Sequence, residues 1–267
     1  MKRSFRICLS ILSIFFIGCA NDNNSSPASP SPTTNTVPAL SYNVVASQPH
    51  DTSYFTEGLE FYQGSLLEST GNYGSSKLVK LDPATGKVQK EVTLDPKFFG
   101  EGITVVHDTL YQMTWREHTV HVYTAKDLKK VKDLPLNYEG WGLTNDGKNI
   151  IASDGSSNLY FYEPGTFRLL RIQGVTENGD NVININELEY INGYVWANQW
   201  NYNDILKIDP SNGQVVAKID LTDLANKVAA KDPHANVLNG IAYNPDTKKI
   251  YITGKYWPEL YEVSFDH

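Results

Sequence analysis

A short motif returns five times between residues 55 and 243, and no other feature of the chain limits its fold as strongly. The copies are Phe55-Thr56-Glu57-Gly58-Leu59-Glu60-Phe61, Phe99-Gly100-Glu101-Gly102-Ile103-Thr104-Val105, Glu139-Gly140-Trp141-Gly142-Leu143-Thr144, Ile185-Asn186-Glu187-Leu188-Glu189-Tyr190 and Leu238-Asn239-Gly240-Ile241-Ala242-Tyr243. Each sets a polar or aromatic residue before a glycine, with Glu187 in the glycine's place in the fourth copy, and then continues as an alternating apolar strand. A second strand follows across a turn, and Gln63-Gly64, Asp146-Gly147 and Asn192-Gly193 are hairpin signals. A third strand comes next, as in Leu78-Val79-Lys80-Leu81 or Ile205-Leu206-Lys207-Ile208. Four copies add a fourth strand, as in Val88-Gln89-Lys90-Glu91-Val92.

Four strands per unit at a spacing of roughly 40 to 53 residues mark propeller blades. A β-sandwich gives no reason for five similar units. The expected fold is therefore an all-β five-bladed β-propeller with four-stranded blades over residues 39–267. The fifth copy reaches His267 without a fourth strand, whereas Tyr42-Asn43-Val44-Val45-Ala46 is strand-like and unassigned. This N-terminal strand is predicted to close the ring against the last blade, hiding two edges that would otherwise invite aggregation. Only Leu221 to Lys231 reads as a short helix.

Ahead of the propeller, Lys2, Arg3 and Arg6 precede an apolar run from Ile7 to Ile17, too short to span a bilayer as a helix. Residues 1–18 have the layout of a secretory signal peptide, and Phe16-Ile17-Gly18-Cys19 resembles a bacterial lipobox with Cys19 as the lipidated residue. Residues 19–38 are rich in Asn, Ser, Pro and Thr and read as a disordered tether. The expected location is the bacterial cell envelope, periplasmic or surface-exposed, with membrane contact through the N-terminal lipid alone. Cys8 and Cys19 are the two cysteines, so the propeller has neither a disulfide nor a cysteine metal site. The chain has 23 Lys and Arg against 30 Asp and Glu, and removing the three basic leader residues leaves 20 against 30. Nucleic acid needs a basic footprint and is not an expected partner; a monomer is expected.

In a propeller the first strand of each blade lines the central channel, and the second runs antiparallel beside it. The start of the first and the end of the second therefore share one mouth. That rule gathers Phe55, Glu57, Phe99, Glu101, Trp115, Trp141, Asn186, Trp200, Asn239 and Lys255 on one face, with Trp257 close by. Aromatic walls around a few convergent polar groups are how pockets are built.

Several of these residues lie in motifs that resemble the plant and bacterial type of glutaminyl-peptide cyclotransferase. They are Phe99-Gly100-Glu101-Gly102, Met113-Thr114-Trp115, Trp141-Gly142-Leu143-Thr144, Asn186-Glu187-Leu188-Glu189, Trp196-Ala197-Asn198, Leu238-Asn239-Gly240-Ile241-Ala242 and Thr253-Gly254-Lys255. The resemblance runs over essentially all of residues 42–264. It implies an aminoacyltransferase that converts the N-terminal glutamine of a peptide or protein into pyroglutamate and releases ammonia. Carried over by position, the essential carboxylate falls on Glu101, its polar helpers on Asn186 and Lys255, and the aromatic pocket on Phe55, Phe99, Trp115, Trp141 and Trp200. Glu57 stands where the family often has glutamine, so a substrate contact there is expected to differ, and Asn239 is taken as a further substrate contact.

The residue types suit that chemistry. The α-amine must attack its own side-chain amide, and with a pKa near 7.7 to 8.0 a useful fraction is already neutral at mildly alkaline pH. Expelling ammonia needs a proton on the departing nitrogen, which Glu101 can take from the amine and hand on. Lys255 or Asn186 would stabilise the oxyanion, and tryptophan walls would hold the side chain curled for attack. No metal is expected in catalysis, since His118 and His121, the one close histidine pair, lie three apart on a strand. A structural calcium ion on the channel axis is compatible with the fold, since propeller channels can hold ions, although no acidic loop specifies one. Two other functions fit the same fold: a non-catalytic surface propeller that binds protein or glycan through its aromatic mouth, and a propeller hydrolase or lactonase with a metal held by Glu, Asn and Asp.

Overall fold

The computed structural model describes residues 36–267. The signal peptide expected over 1–18, Cys19 and all of the expected tether up to residue 35 lie outside the described residues.

Strand β1 (Asn43–Pro49) comes first, ahead of five four-stranded antiparallel units. Blade one is β2 (Thr56–Tyr62), β3 (Ser65–Thr70), β4 (Lys77–Leu81) and β5 (Val88–Thr93). Blade two is β6 (Gly100–Val106), β7 (Thr109–Thr114), β8 (Thr119–Thr124) and β9 (Lys129–Pro135). Blade three is β10 (Leu143–Asn145), β11 (Ile150–Ala152), β12 (Asn158–Glu163) and β13 (Arg168–Gly174). A small hairpin, β14 (Thr176–Glu177) with β15 (Asp180–Asn181), leads into blade four: β16 (Ile185–Ile191), β17 (Tyr194–Gln199), β18 (Asp204–Ile208) and β19 (Val215–Asp220). Helix α1 (Thr222–Lys231) precedes β20 (Leu238–Asn244), β21 (Lys249–Gly254) and β22 (Glu259–Ser264). The chain is a five-bladed β-propeller, as the repeat predicts.

Blade five has the order β1-β22-β21-β20, so its outermost strand comes from the other end of the chain. β1 runs antiparallel to β22 from Asn43 opposite Ser264 to Pro49 opposite Glu259. His50, just past β1, fastens the seam between blades: one ring nitrogen lies 2.8 Å from the Trp257 carbonyl and the other 3.1 Å from both Glu68 oxygens. Chain ahead of β1 is docked too. Lys218 N donates to Pro38 O at 2.9 Å, Leu40 N donates to Lys218 O at 2.7 Å, and Val37 packs on the apolar cluster between blades three and four. The tether boundary expected between residues 38 and 39 therefore runs through a segment that is already part of the propeller's surface.

The core lies between blades. Second strands such as β3 and β11 are buried on both faces, because a radial sheet is covered by a neighbour on each side, whereas outer strands β5, β9 and β13 are largely exposed. Helix α1 adds Leu224 and Val228, one turn apart, to the apolar cluster between blades four and five. Its last carbonyls are served by the Asp232 N–H, which reaches Val228 O, and Lys231 lies in the last turn, where a cation suits the helix dipole.

The repeated motif has a physical cause. In β2, β6, β16 and β20 the pairing slips between Thr56 and Gly58, Gly100 and Ile103, Ile185 and Leu188, and Leu238 and Ile241. Glu57, Glu101, Asn186 and Asn239 fall in these bulges, which break the ladder and re-aim a side chain. The glycine beside each is needed because the inner strands crowd together around the axis. A Cβ on Gly102 would stand 2.5 Å from Leu143 N and 2.6 Å from Trp141 O. In the fourth copy Glu187 uses the space instead. Its buried carboxyl accepts from Leu59 N at 3.2 Å and Ile241 N at 2.8 Å, tying blade four to blades one and five.

Candidate active site

The bulges open on a cavity of about 330 Å³ at one mouth of the channel. Its lining unites nine residues that the sequence placed together: Phe55, Glu57, Phe99, Glu101, Trp115, Trp141, Asn186, Trp200 and Lys255. Two expectations are corrected. Asn239 is fully buried behind Glu57, where its Nδ2 donates to Glu57 Oε2 at 3.1 Å and to Thr56 O at 2.9 Å, so it positions the wall rather than forming it. Trp257 turns away into the core between blades four and five, with Nε1 donating to Asn236 O at 2.8 Å. The cause is local: Tyr256 has a positive φ of 60° and swings the following residue inward, over Gly254. Three tryptophans, not four, face the cavity.

The aromatic walls interlock. Phe99 meets Phe55 edge-on at 6.0 Å and Trp115 at 5.5 Å, while Trp141 and Trp200 form a T-shaped pair at 5.7 Å. Gly155, with φ at +77°, is the seat of Trp141, since a Cβ there would come within 2.7 Å of the indole ring. Gly71 serves Phe99 in the same way. Behind the walls stand groups that sequence reasoning did not single out. Glu139 accepts from Trp115 Nε1 and from Arg116 Nε, each at 2.9 Å, and the Arg116 guanidinium covers the Trp115 ring at 3.8 Å. Glu117 accepts from the Tyr73 hydroxyl at 2.8 Å and Phe99 N at 3.2 Å. Tyr256 packs on Phe55 at 5.1 Å and its hydroxyl accepts from Asn72 Nδ2 at 2.8 Å. The signal for Glu139 was present, since it opens the third copy of the motif.

The polar groups divide into a paired set and an unpaired one. Lys255 Nζ lies 2.7 Å from Glu57 Oε1 and 4.3 Å above the Phe55 ring. Burial pushes the Glu57 carboxyl up to about 7, against the opposing pull of Lys255 and Asn239. Glu101 is only 5 % exposed, and no described residue donates a hydrogen bond to its carboxyl. Burial, reinforced by the negative charge of Glu57, holds it well above the usual carboxylate range; Lys255 pulls down without prevailing, and Glu117 and Glu139 push upward. Asn186 Oδ1 and Trp141 Nε1 are also buried without a partner among the described residues. A buried polar atom left unsatisfied costs about 1–3 kcal/mol, so these atoms and Glu101 are preset for a polar ligand. Among the described residues no three His, Cys, Asp or Glu side chains are grouped to hold a metal ion.

The sequence matches the profile of the family described as glutamine cyclotransferase over residues 12–265. It is 42% identical over 225 residues to a glutaminyl-peptide cyclotransferase of Arabidopsis thaliana, covering 82% of this chain and 70% of that protein. The fold superposes on the crystal structure of Myxococcus xanthus glutaminyl cyclase with a TM-score of 0.80 at 36% identity, covering 86% of this chain and 98% of that one.

Proposed function

The chain belongs to the glutamine cyclotransferase family, and from that premise we propose that its aromatic cavity folds an N-terminal glutaminyl residue onto itself, with Glu101 as proton shuttle. The observation that carries the proposal is Glu101 itself: a nearly buried carboxyl with no donor of its own, beside two other unpartnered polar atoms, in a cavity walled by aromatic rings.

The neutral α-amine attacks the side-chain carbonyl carbon, forming a C–N bond and a tetrahedral oxyanion. Glu101 accepts a proton from the attacking nitrogen and delivers it to the amide nitrogen, whose bond to carbon then breaks to release ammonia. The acyl group of the side chain thus passes from ammonia to the α-amine, an aminoacyl transfer within one residue. Lys255, the Asn186 amide and Trp141 Nε1 supply donors for the oxyanion. The tryptophan walls exclude water that would compete by hydrolysis, and they enforce the curled conformation on which an intramolecular attack depends. Glu57 holds Lys255, and Asn239 holds Glu57. The scheme needs neither metal nor cofactor. The substrates are peptides and proteins that begin with glutamine, met by a monomeric domain at the bacterial cell envelope, tethered through lipid on Cys19.

The test is ammonia release from a glutaminyl peptide, together with a product lighter than the substrate by about 17 mass units, the one ammonia expelled. Absence of both on every glutamine-initiated peptide, with binding retained, would replace the enzyme by a propeller that only recognises peptide ends.

A further inference from the structure

We infer that a second cavity, beside the catalytic pocket, receives the residues that follow the N-terminal glutamine and favours a basic side chain among them. The inference rests on the cyclotransferase reading above. A glutaminyl residue that enters with its amine and side chain first leaves its carbonyl and the rest of the peptide to exit through the mouth. At that mouth Trp200 is the wall most open to solvent, 39 % exposed.

A second cavity, of about 350 Å³, is lined by Gln199 and Tyr202, which lie on either side of Trp200 in the chain. Two hydrogen bonds fix the partition between the cavities. Trp200 N donates to Asn184 O at 2.8 Å, and Gln199 Nε2 donates to Ile183 O at 2.9 Å. The far wall is the β14–β15 hairpin, which has no counterpart in the other described blades and is anchored by Thr176 N to Gly213 O at 2.9 Å. Ile183 and Tyr202 are 55 % and 48 % exposed, so the groove offers two apolar side chains to a passing peptide.

The charge of this groove is one-sided. Glu177, Asp180 and Asp204 line it against a single cation, Lys218, and Glu177 already engages that ammonium at 2.7 Å. Asp204 feels the crowding: burial raises its carboxyl, Lys218 opposes, and Asp220 and Glu177 push further upward. A lysine or arginine of the substrate can lay its aliphatic stem along Tyr202 and Ile183 and present its charge to Asp180 and Asp204. An acidic side chain in the same place meets only like charge.

The experiment measures kcat/KM for tetrapeptide amides that begin with glutamine and otherwise hold alanine, with lysine or glutamate placed in turn at positions two, three and four. At low ionic strength the lysine peptide should exceed its glutamate counterpart by about tenfold at one of these positions. The ratio should fall towards unity near 1 M salt, where screening acts within roughly 3 Å. Asp180→Asn should cut the ratio about threefold and Lys218→Met should raise it by a similar factor. The ratio is read within each variant, so a loss of folded protein cancels. A wild-type ratio within about twofold of unity at every position, or a preference that neither variant moves, overturns the subsite. Glutaminyl-alanine amide, which has no charge to read, separates the two layers. Ammonia release from it without any charge preference elsewhere refutes the groove alone, whereas no release from it or from any other peptide refutes the cyclotransferase reading beneath.

Discussion

Replacing Glu101 by glutamine isolates the proton shuttle from the shape of the pocket. The amide is isosteric, and since no described residue donates to the Glu101 carboxyl, no hydrogen bond is lost. What disappears is the capacity to accept a proton and return it. General acid–base catalysis of this kind contributes about 10²- to 10⁴-fold, or roughly 2.7–5.5 kcal/mol of barrier, and kcat should fall by that factor while KM changes little. Stability should move the other way. The Glu101 carboxyl is held well above its ordinary range, first by burial and then by Glu57. A carboxylate pKa raised on folding gives stability that is complete below the unfolded value and is lost as pH rises through the folded one. Glu101→Gln should therefore melt no lower than wild type at pH 6 and higher than wild type at pH 9. Steady-state ammonia release and thermal melts at the two pH values give both readings. Near-normal turnover refutes the shuttle, and lost turnover with a melting temperature lowered at both pH values refutes the claim that only proton transfer was removed.

Glu57→Gln should leave the rate within about tenfold, roughly 1.4 kcal/mol of barrier, because the amide oxygen can still accept from Lys255 and Asn239 Nδ2 keeps the Thr56 carbonyl; a larger loss would move the essential carboxylate from Glu101 to Glu57. Burial lowers the His50 pKa, but the Glu68 carboxylate and the Trp257 carbonyl outweigh it and the net direction is upward. The stability from His50 is thus complete below about 6.5 and lost as pH rises through the folded value, so the melting temperature gap between wild type and His50→Gln should be wider at pH 6 than at pH 9, and the reverse trend would refute the charged latch. Protein lacking residues 1–35 should melt cooperatively and run as a monomer by light scattering, whereas removal of residues 1–49 exposes the β22 edge and should abolish cooperative melting; equal melting temperatures would deny β1 its part in closing the ring. Turnover should survive EDTA and a heterocyclic chelator, and activity lost to chelator and restored by zinc would overturn the metal-free scheme, while a lower melting temperature alone would reveal an ion on the channel axis.

Most of the fold was legible because each blade must repeat the same crowding at the axis, and repetition exposes a pattern that one copy would hide. The bulge at Glu57, Glu101, Asn186 and Asn239, followed by glycine in three copies and by Glu187 in the other, wrote itself into the sequence in four of the five blades. Position along a strand then assigned nine residues to one cavity without any knowledge of side-chain direction. Direction is where the sequence fell short. Trp257 occupies a loop position like those of the pocket tryptophans, yet the positive φ of Tyr256 sends it inward, and nothing in the residue types announces that turn. Asn239 has the right register, but a fully buried amide pointing at Glu57 differs from a pocket amide only by a rotation that register does not fix. The competition over Glu101 was also undecided by sequence, because burial and Lys255 act in opposite directions and their balance depends on distances.

The same bulges explain why catalysis and ring closure sit on adjacent residues. In β2, β6 and β16 one bulge residue, Glu57, Glu101 or Asn186, faces the cavity, and the next faces a neighbouring blade across the axis. At the first position a change of side chain alters the wall of the pocket, as Glu57 illustrates by reaching along it to Lys255. At the second position there is no such freedom. Gly58 and Gly102 have backbone atoms of the next blade within 3 Å of where a Cβ would stand. Backbone cannot yield as a flexible side chain can, so any substitution there pushes two blades apart. Glu187 is the exception that fits the rule. Its carboxyl runs along the axis to two backbone N–H groups, Leu59 and Ile241, and supplies the acceptors they would otherwise lack. Evolution of this site is therefore channelled: its chemistry can change at Glu57, Glu101, Trp141, Asn186 and their neighbours in the wall, while the residues that follow them are held by the geometry of five strands meeting around one axis.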